Sequence, residues 1–150
     1  MNRAARWLVS LSILTLVLVQ GCRRSIAFND LSDSDHAQVM DLLQTVYKSG
    51  LGDHIVAWYT TDARGYYDMK AKKNIDFPQP ISTLTVSVPE YLTATEPVED
   101  RLRTAASNTI VNGWKLSKFV VEITPGGGGG GAMMPSFDTI TIYPFEVEKH

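Results

Sequence analysis

Residues 33–60, DSDHAQVMDLLQTVYKSGLGDHIVAWYT, contain the change of hydrophobic period that decides the fold class. Ser and Asp at the start are residue types that cap helices, and Gly50 suits the C′ position, with Leu51 over Val46. His54 to Thr60 is rich in β-branched and aromatic residues, which favours a strand. Between these ends, apolar residues recur at helical spacing and predict one buried face: Val39, Met40, Leu42, Leu43, Val46 and Tyr47.

A hairpin and a further strand are predicted after this helix. Residues 61–65, Thr-Asp-Ala-Arg-Gly, have turn chemistry and precede Tyr66 to Lys70, so the first hairpin is expected to span His54 to Lys70. Residues 71–80 carry charges, an asparagine and two prolines, which predicts a loop. In residues 81–88, apolar and hydroxyl side chains alternate, as in a strand with one buried face.

A second helix and two more strands complete the expected fold. The helix is predicted to begin near Pro97 and to reach Ser107, with Val98, Leu102, Ala105 and Ala106 inward. Residues 114–123 and 137–147 predict the strands, and Pro144 places the second of them at a sheet edge or at a bend. The sequence therefore predicts an α+β domain over residues 33–150, with two helices on a mainly antiparallel sheet of about five strands. The expected order is helix, three strands, helix, two strands.

Six consecutive glycines, Gly126 to Gly131, lie in the connection 125–135 between the last two strands. A phosphate-binding loop would require a following Lys-Ser/Thr and a helix behind it. Neither pattern follows the glycines, so the run is interpreted as a flexible hairpin connection.

The first residues have the layout of an export signal. Arg3 and Arg6 precede the apolar run Trp7 to Val19, and Gln20-Gly21-Cys22 follows it. A helix of these 13 residues covers roughly 20 Å, while the hydrocarbon core of a bilayer is about 30 Å thick. A removed signal is therefore favoured over a permanent span.

Val19-Gln20-Gly21-Cys22 resembles the lipobox of bacterial lipoprotein precursors, in which Gly or Ala precedes an obligatory Cys. Gln20 departs from the small residue that is usual at its position. The resemblance covers residues 1–22 and implies that residues 1–21 are removed, that Cys22 carries a diacylglyceryl group, and that residues 22–32 form a lipidated tether. Arg23, in place of Asp, favours the outer membrane in the enterobacterial families that the motif resembles. The alternative is an unmodified Cys22 beside an uncleaved anchor.

Composition excludes several other functions. Cys22 is the only cysteine, so an intramolecular disulfide is impossible. The chain has 14 Lys+Arg against 16 Asp+Glu and no basic stripe, which argues against nucleic acid as a partner. Asn29, Asp30, Asp33, Asp35 and His36 are interpreted as capping and tether residues, because a calcium loop would also need a central Gly and a late Glu. No metal site and no cofactor are predicted.

Two functions are compatible with these observations. The first is a lipid-anchored cell-envelope protein with a non-catalytic binding or assembly role, whose partner is an envelope protein or a glycan. Its candidate binding surface is the aromatic group Trp58, Tyr59, Tyr66 and Tyr67, of which one member of each adjacent pair is expected to face outward. The second is a small envelope hydrolase with an acid/base site on the first hairpin, formed by His54, Asp62 and Asp68.

Overall fold

The computed structural model describes residues 24–126 and 136–150. The predicted signal segment, Cys22 and most of the glycine run lie outside these residues. The elements are β1 (Arg24–Ala27), a 3₁₀ turn (Phe28–Asp30), α1 (Asp33–Leu51), a second 3₁₀ turn (Gly52–His54), β2 (Ala57–Asp68), β3 (Lys73–Pro89), α2 (Glu90–Thr95), α3 (Val98–Asn108), β4 (Trp114–Thr124) and β5 (Phe137–Lys149).

The predicted fold class is confirmed, because the described helices pack on one five-stranded antiparallel sheet. β5 is the central strand. It pairs with β4 along one edge, and along its other edge it pairs with β3 through residues 137–142 and with β1 through residues 146–149. β2 pairs with β3 at the far side. The expected element order was wrong, because one strand precedes α1 and only two strands follow it.

The segment interpreted as a tether is part of the sheet. Arg24–Ala27 forms β1, which pairs with the end of β5 from Arg24↔Lys149 to Ala27↔Glu146. Phe28 follows it with 2% of its surface exposed and joins the core. The prediction of a tether over residues 22–32 is therefore wrong for residues 24–28, since four backbone pairs and a buried aromatic ring hold this stretch in the domain.

Helix α1 has the predicted buried stripe, but it ends later than predicted. The Ser32 hydroxyl accepts a hydrogen bond from the Asp35 N–H and so caps the first turn. The helix runs through Gly50 to Leu51, and Gly52, with a positive φ of 58°, ends it by donating to the Lys48 carbonyl. Gly50 has a different role, because a Cβ on it would lie 3.0 Å from Leu102 of α3.

All three described helices lie on one face of the sheet. Helix α3 begins one residue after the predicted Pro97 and buries the four residues expected to point inward. Helix α2, which was not predicted, contributes the buried Leu92 to the same core. These helices cover the face of the sheet that carries Leu84, Val86, Val88, Ile140 and Ile142.

The first hairpin differs from its prediction. Residues 61–65 lie within β2 and residues 73–80 within β3, so both the predicted turn and the predicted loop were wrong; the turn is at residues 69–72. Residues 61–65, whose composition predicted a turn, instead contain a shift in the register between β2 and β3. Between the pairs Ala63↔Ile81 and Gly65↔Asp76, one unpaired residue of β2, Arg64, lies opposite four residues of β3, 77–80. Two of those four are prolines, which cannot donate to the ladder.

Beyond this irregularity, residues 65–76 form an arm that packs on the sheet. A Cβ on Gly65 would overlap the Ile75 carbonyl oxygen, so the close approach of the two strands requires glycine there. Tyr66 contacts Tyr143 and Phe145 of β5, with ring centroids 5.5 and 6.4 Å apart. These contacts join the arm to β5, with which residues 65–76 share no backbone pairs.

Pro144 lies in the central strand and not at an edge. The pairing of β4 with β5 shifts register twice near it, between Leu116 and Phe119 of β4. The bend that the sequence predicted as the alternative to an edge is therefore present as a bulge. The bulge also changes the side-chain parity of β5, so that both Ile142 and Val147 are buried in the core.

Candidate functional site

The face of the sheet opposite the helices carries rows of hydroxyl side chains. One row across four strands consists of Tyr59, Thr85, Thr141 and Glu122, and the next consists of Ala57, Ser87, Thr139 and Thr124. Thr61 and Thr83 continue the pattern toward the arm. We define the hydroxyl face by these residues: Thr61, Thr83, Thr85, Ser87, Thr124, Thr139 and Thr141.

Hydrogen bonds between neighbouring threonines order this face. The Thr85 and Thr141 hydroxyl oxygens are 2.8 Å apart, and those of Thr61 and Thr83 are 3.0 Å apart. Thr85, Thr139 and Thr141 are half-buried, Thr124 is exposed, and Thr83 is buried. A hydroxyl group can donate one hydrogen bond and accept two, so a threonine bonded to its neighbour retains capacity for a ligand.

Exposed aromatic rings flank the hydroxyl face. Tyr59, with 50% of its surface exposed, stands at its β2 edge in the same row as Thr85. Phe137, at the start of β5, is 37% exposed and has the same parity as Thr139 and Thr141. The face therefore combines uncharged hydroxyls with aromatic rings at two of its margins.

The four aromatic residues singled out in the sequence do not form one surface. Trp58 lies on the helix side of β2, where its ring packs edge-on against Tyr47 with centroids 5.8 Å apart, and Tyr59 lies on the opposite side. The Tyr66 ring packs on Tyr143 of β5, whereas Tyr67 is 45% exposed. The expected alternation is present, because the second member of each pair is the more exposed, but all four residues are on β2 and not on paired strands.

Glu122 links the arm (residues 65–76) to the sheet through hydrogen bonds. One of its carboxylate oxygens accepts a hydrogen bond from the Tyr143 hydroxyl at 2.8 Å, and the other accepts one from the Tyr67 N–H at 3.2 Å. Burial, reinforced by the hydrogen bond to this carboxylate, raises the pKa of Tyr143 well above its ordinary value, so its hydroxyl stays a donor. Glu122 is the only charged residue in the rows of the hydroxyl face, and both its oxygens are engaged.

A cavity of about 550 Å³ lies beside the outer edge of β4, between the tip of the arm and α3. Its acidic side chains already have partners. Asp68 accepts hydrogen bonds from the N–H groups of Lys70 and Ala71, and Glu99 forms an ion pair with Arg103 at 3.1 Å. The cavity therefore offers apolar contact area near Tyr67 but no converging acid and base.

The proposed acid/base residues are separated. His54 lies in a 3₁₀ turn before β2, and its ring contacts Tyr91. Asp62 accepts a hydrogen bond from the Ser82 hydroxyl in mid-strand, whereas Asp68 closes the turn at the arm tip. The two carboxylates lie six residue steps apart in β2, on either side of the irregularity at Ala63 and Gly65, and each is hydrogen-bonded to its own local partners.

The other polar residues considered in the sequence have structural positions. Asp33 and Asp35 lie in the first turn of α1, where carboxylates favour the positive helix end, and the His36 ring packs on Phe28 with centroids 4.8 Å apart. Within residues 24–126 and 136–150, no group of three or more His, Cys, Asp or Glu is placed to hold a metal ion. In the same part of the chain, no helix has the length and hydrophobicity needed to cross a bilayer.

Tyr47 is a buried polar side chain of α1 that reaches the sheet where two strands separate. Its hydroxyl accepts a hydrogen bond from the Ile142 N–H at 2.8 Å and lies within donating distance of the Leu84 and Ile140 carbonyls. Leu84↔Ile142 is the last pair of β3 with β5, so this hydroxyl satisfies backbone groups where the two strands separate. Burial raises the pKa of Tyr47 far above the ordinary tyrosine value.

The alternation of hydroxyl and apolar residues is the signal of the hydroxyl face that the sequence contains. Thr83, Thr85 and Ser87 alternate with apolar residues, and Thr139 and Thr141 do the same. Pattern alone shows that each set lies on one face of its strand, but the register that places the sets side by side is a tertiary property.

Comparison of the chain with protein-family models, with curated proteins and with solved structures found no match.

Proposed function

We propose that this protein is a lipid-anchored protein of the bacterial cell envelope, held in the outer membrane through Cys22, and that it binds a glycan of the cell wall on its hydroxyl face. The role is non-catalytic. The anchor is supported by the lipobox resemblance at residues 19–22, and two acyl chains suffice for stable attachment to a bilayer. The single structural observation that carries the binding role is the row Tyr59, Thr85, Thr141 on the sheet face that the helices leave uncovered.

The chemistry of this face matches a sugar polymer. Sugar hydroxyls exchange hydrogen bonds with threonine hydroxyls, and tyrosine offers a large rigid ring with a polar edge for the apolar face of a sugar ring. A charged ligand is less well matched, because the one carboxylate of these rows, Glu122, is already bonded to Tyr143 and Tyr67. The geometry gives no comparable support to the envelope hydrolase, since His54, Asp62 and Asp68 do not converge.

The binding role can be tested by co-sedimentation of the purified protein with insoluble cell-wall sacculi. We expect wild-type protein to sediment, and Tyr59→Ala to lose at least tenfold in affinity because one stacking contact is removed. Tyr91→Ala is the matched control, since Tyr91 is 60% exposed but lies on α2, away from the hydroxyl face. Circular dichroism would verify that both variants are folded.

Two results would overturn the glycan assignment. One is a wild-type protein that does not sediment, and the other is an equal effect of the two tyrosine substitutions. Binding that appears only after envelope proteins are added to the sacculi would replace the glycan by a protein partner. The anchor has its own test, because intact-mass analysis of membrane-extracted protein should show a chain that begins at Cys22 and carries added acyl mass.

A further inference from the structure

We infer that the end of the sheet where β1 begins rests directly on the lipid headgroups, with the strands directed away from the bilayer. This inference depends on the proposed anchor at Cys22. Only Arg23 separates Cys22 from Arg24, the first residue of β1. Two residue steps span at most about 7 Å, so an acylated Cys22 brings this end of the domain to the membrane surface.

The start of β1 cannot move away from the domain at low cost. Each residue of β1 is paired with β5, from Arg24↔Lys149 to Ala27↔Glu146. Ile26 packs against the core, and Phe28 is 2% exposed. Lengthening the link to the membrane would require breaking these pairs and exposing an aromatic ring, so the anchor is attached to a rigid element.

The side chains at this end are compatible with an anionic headgroup layer. Arg24, Lys149 and Trp114 occupy neighbouring positions on β1, β5 and β4, and the Lys149 ammonium lies 4.7 Å from the centre of the Trp114 ring. Lys115 pairs with Glu148 in the next position. The nearby carboxylates are engaged, Glu146 with Lys118 at 3.2 Å and Glu148 with His150 at 3.3 Å. Trp114 itself is buried, with 2% of its surface exposed, whereas Arg24 and Lys149 are exposed. Basic side chains at this position favour contact with an anionic membrane surface.

This orientation sets the height of the hydroxyl face above the bilayer. Measured along β5 from Lys149, Thr141 and Thr139 lie eight and ten residue steps away, or about 25–35 Å. Phe137 and Val56 lie farther still, at the opposite end of the sheet. In this orientation the hydroxyl face lies beyond the reach of the lipid headgroups, and the proposed glycan would meet it above the membrane surface.

Two single-cysteine variants would measure the orientation. Ile110→Cys and Val56→Cys replace apolar side chains of similar exposure, 54% and 57%. Ile110 precedes the bridge Val111↔Trp114 at the membrane end, whereas the Val56 N–H bonds to the Ser87 carbonyl at the distal end. In the acylated protein the Cys22 thiol is consumed, so a fluorophore would react only at the introduced cysteine.

The measurement is quenching in phosphatidylethanolamine/phosphatidylglycerol vesicles that contain a nitroxide-headgroup lipid. We expect at least twofold stronger quenching at position 110 than at position 56. Equal quenching, or stronger quenching at 56, would overturn the orientation while leaving the anchor intact, provided that intact mass shows acylated Cys22. A chain without acyl mass would instead overturn the proposed anchor and this inference with it.

Discussion

At the scale of single residues, the Tyr47 hydroxyl has the clearest structural role. It stands between the Ile142 N–H and the Leu84 carbonyl, where β3 leaves β5. A buried backbone group without a partner costs more than an average hydrogen bond contributes. The sequence identified Tyr47 as a member of the buried helical stripe, but its polar role could not be predicted, because the two strands that it bridges lie 37 and 95 residues away.

We therefore expect Tyr47→Phe to lower the free energy of unfolding by about 1–3 kcal/mol. The ring and its packing on Trp58 are retained, so the loss reports the stranded N–H and carbonyl groups. Urea denaturation would measure it, with Tyr91→Phe as the exposed control for which a change within about 0.5 kcal/mol is expected. Equal values for the two variants would show that the junction does not need the hydroxyl.

Tyr47 also predicts a loss of stability at alkaline pH. A tyrosine in the unfolded chain ionises near pH 10, whereas burial keeps the folded Tyr47 protonated to higher pH. Above pH 10 the unfolded state then binds fewer protons than the folded state, so the free energy of unfolding falls as pH rises. The slope from this residue is about 1.4 kcal/mol per pH unit, and its contribution is constant below pH 9.

The check is a series of urea denaturation curves between pH 8 and pH 11.5 on wild type and Tyr47→Phe. The variant should show a slope above pH 10 that is shallower by about one proton. Parallel curves for the two proteins would mean that Tyr47 ionises in the folded state as readily as in the unfolded chain.

At the scale of elements, local signals predicted the helices better than the strand ends. The stripe of α1 and the four buried residues of α3 follow from helical spacing. The error at the end of α1 has a physical reason: Gly50 and Gly52 are equally able to end a helix, and the packing of Gly50 against Leu102 decides between them. Likewise, Gly65 and the two prolines at 78 and 80 predict an interruption of the strands. Only the register shows that β2 and β3 continue to pair beyond this interruption, so that it lies within one long hairpin.

The connection between β4 and β5 contains glycines with different roles. A Cβ on Gly126 would overlap the Phe137 carbonyl oxygen, and the Gly126 N–H donates to Asp138 at 3.0 Å. We expect Gly126→Ala to cost about 1–3 kcal/mol, since backbone has to move. Deleting three of the glycines at 127–131 should change the free energy of unfolding by less than about 1 kcal/mol, because closure entropy varies slowly with loop length.

Thermal unfolding of the two variants would compare these effects directly. A large loss of stability from the deletion would indicate a defined conformation or a bound partner in the glycine run. A Gly126→Ala variant as stable as wild type would show that the approach to Phe137 can relax without cost.

At the scale of the whole molecule, the sequence predicted the class of fold but not how the strands are arranged. The expected count of about five strands agrees with the sheet because two predicted strands are parts of β2, whereas β1 was not predicted. The residues of β1, Arg-Ser-Ile-Ala, are too few to show a period, and their partner lies more than a hundred residues away. The candidate site could likewise be predicted only in part from the sequence. Tyr59 could be selected from the sequence, whereas its neighbours Thr85 and Thr141 depend on the order of the strands.

The N-terminal motif supports a prediction about Cys22. Replacing Cys22 by Ala should prevent acylation and normal removal of residues 1–21, because the thiol is the atom that carries the lipid in the family that the motif resembles. Intact mass and fractionation of membranes would show an unprocessed chain held by its apolar signal. If Cys22→Ala is processed and fractionates like wild type, the lipobox interpretation is wrong.

The position of β5 has a consequence for how the chain would fold on the proposed export route. β5 pairs with β1, β3 and β4, and it follows all three in the sequence. Until its residues are available, β3 has only β2 as a partner, and β1 and β4 have none within the sheet. Pairing between distant segments is slow because their closure entropy has to be overcome before the contacts form. On this route the chain would therefore cross a membrane before its sheet has formed, and the sheet would form only after β5 has crossed.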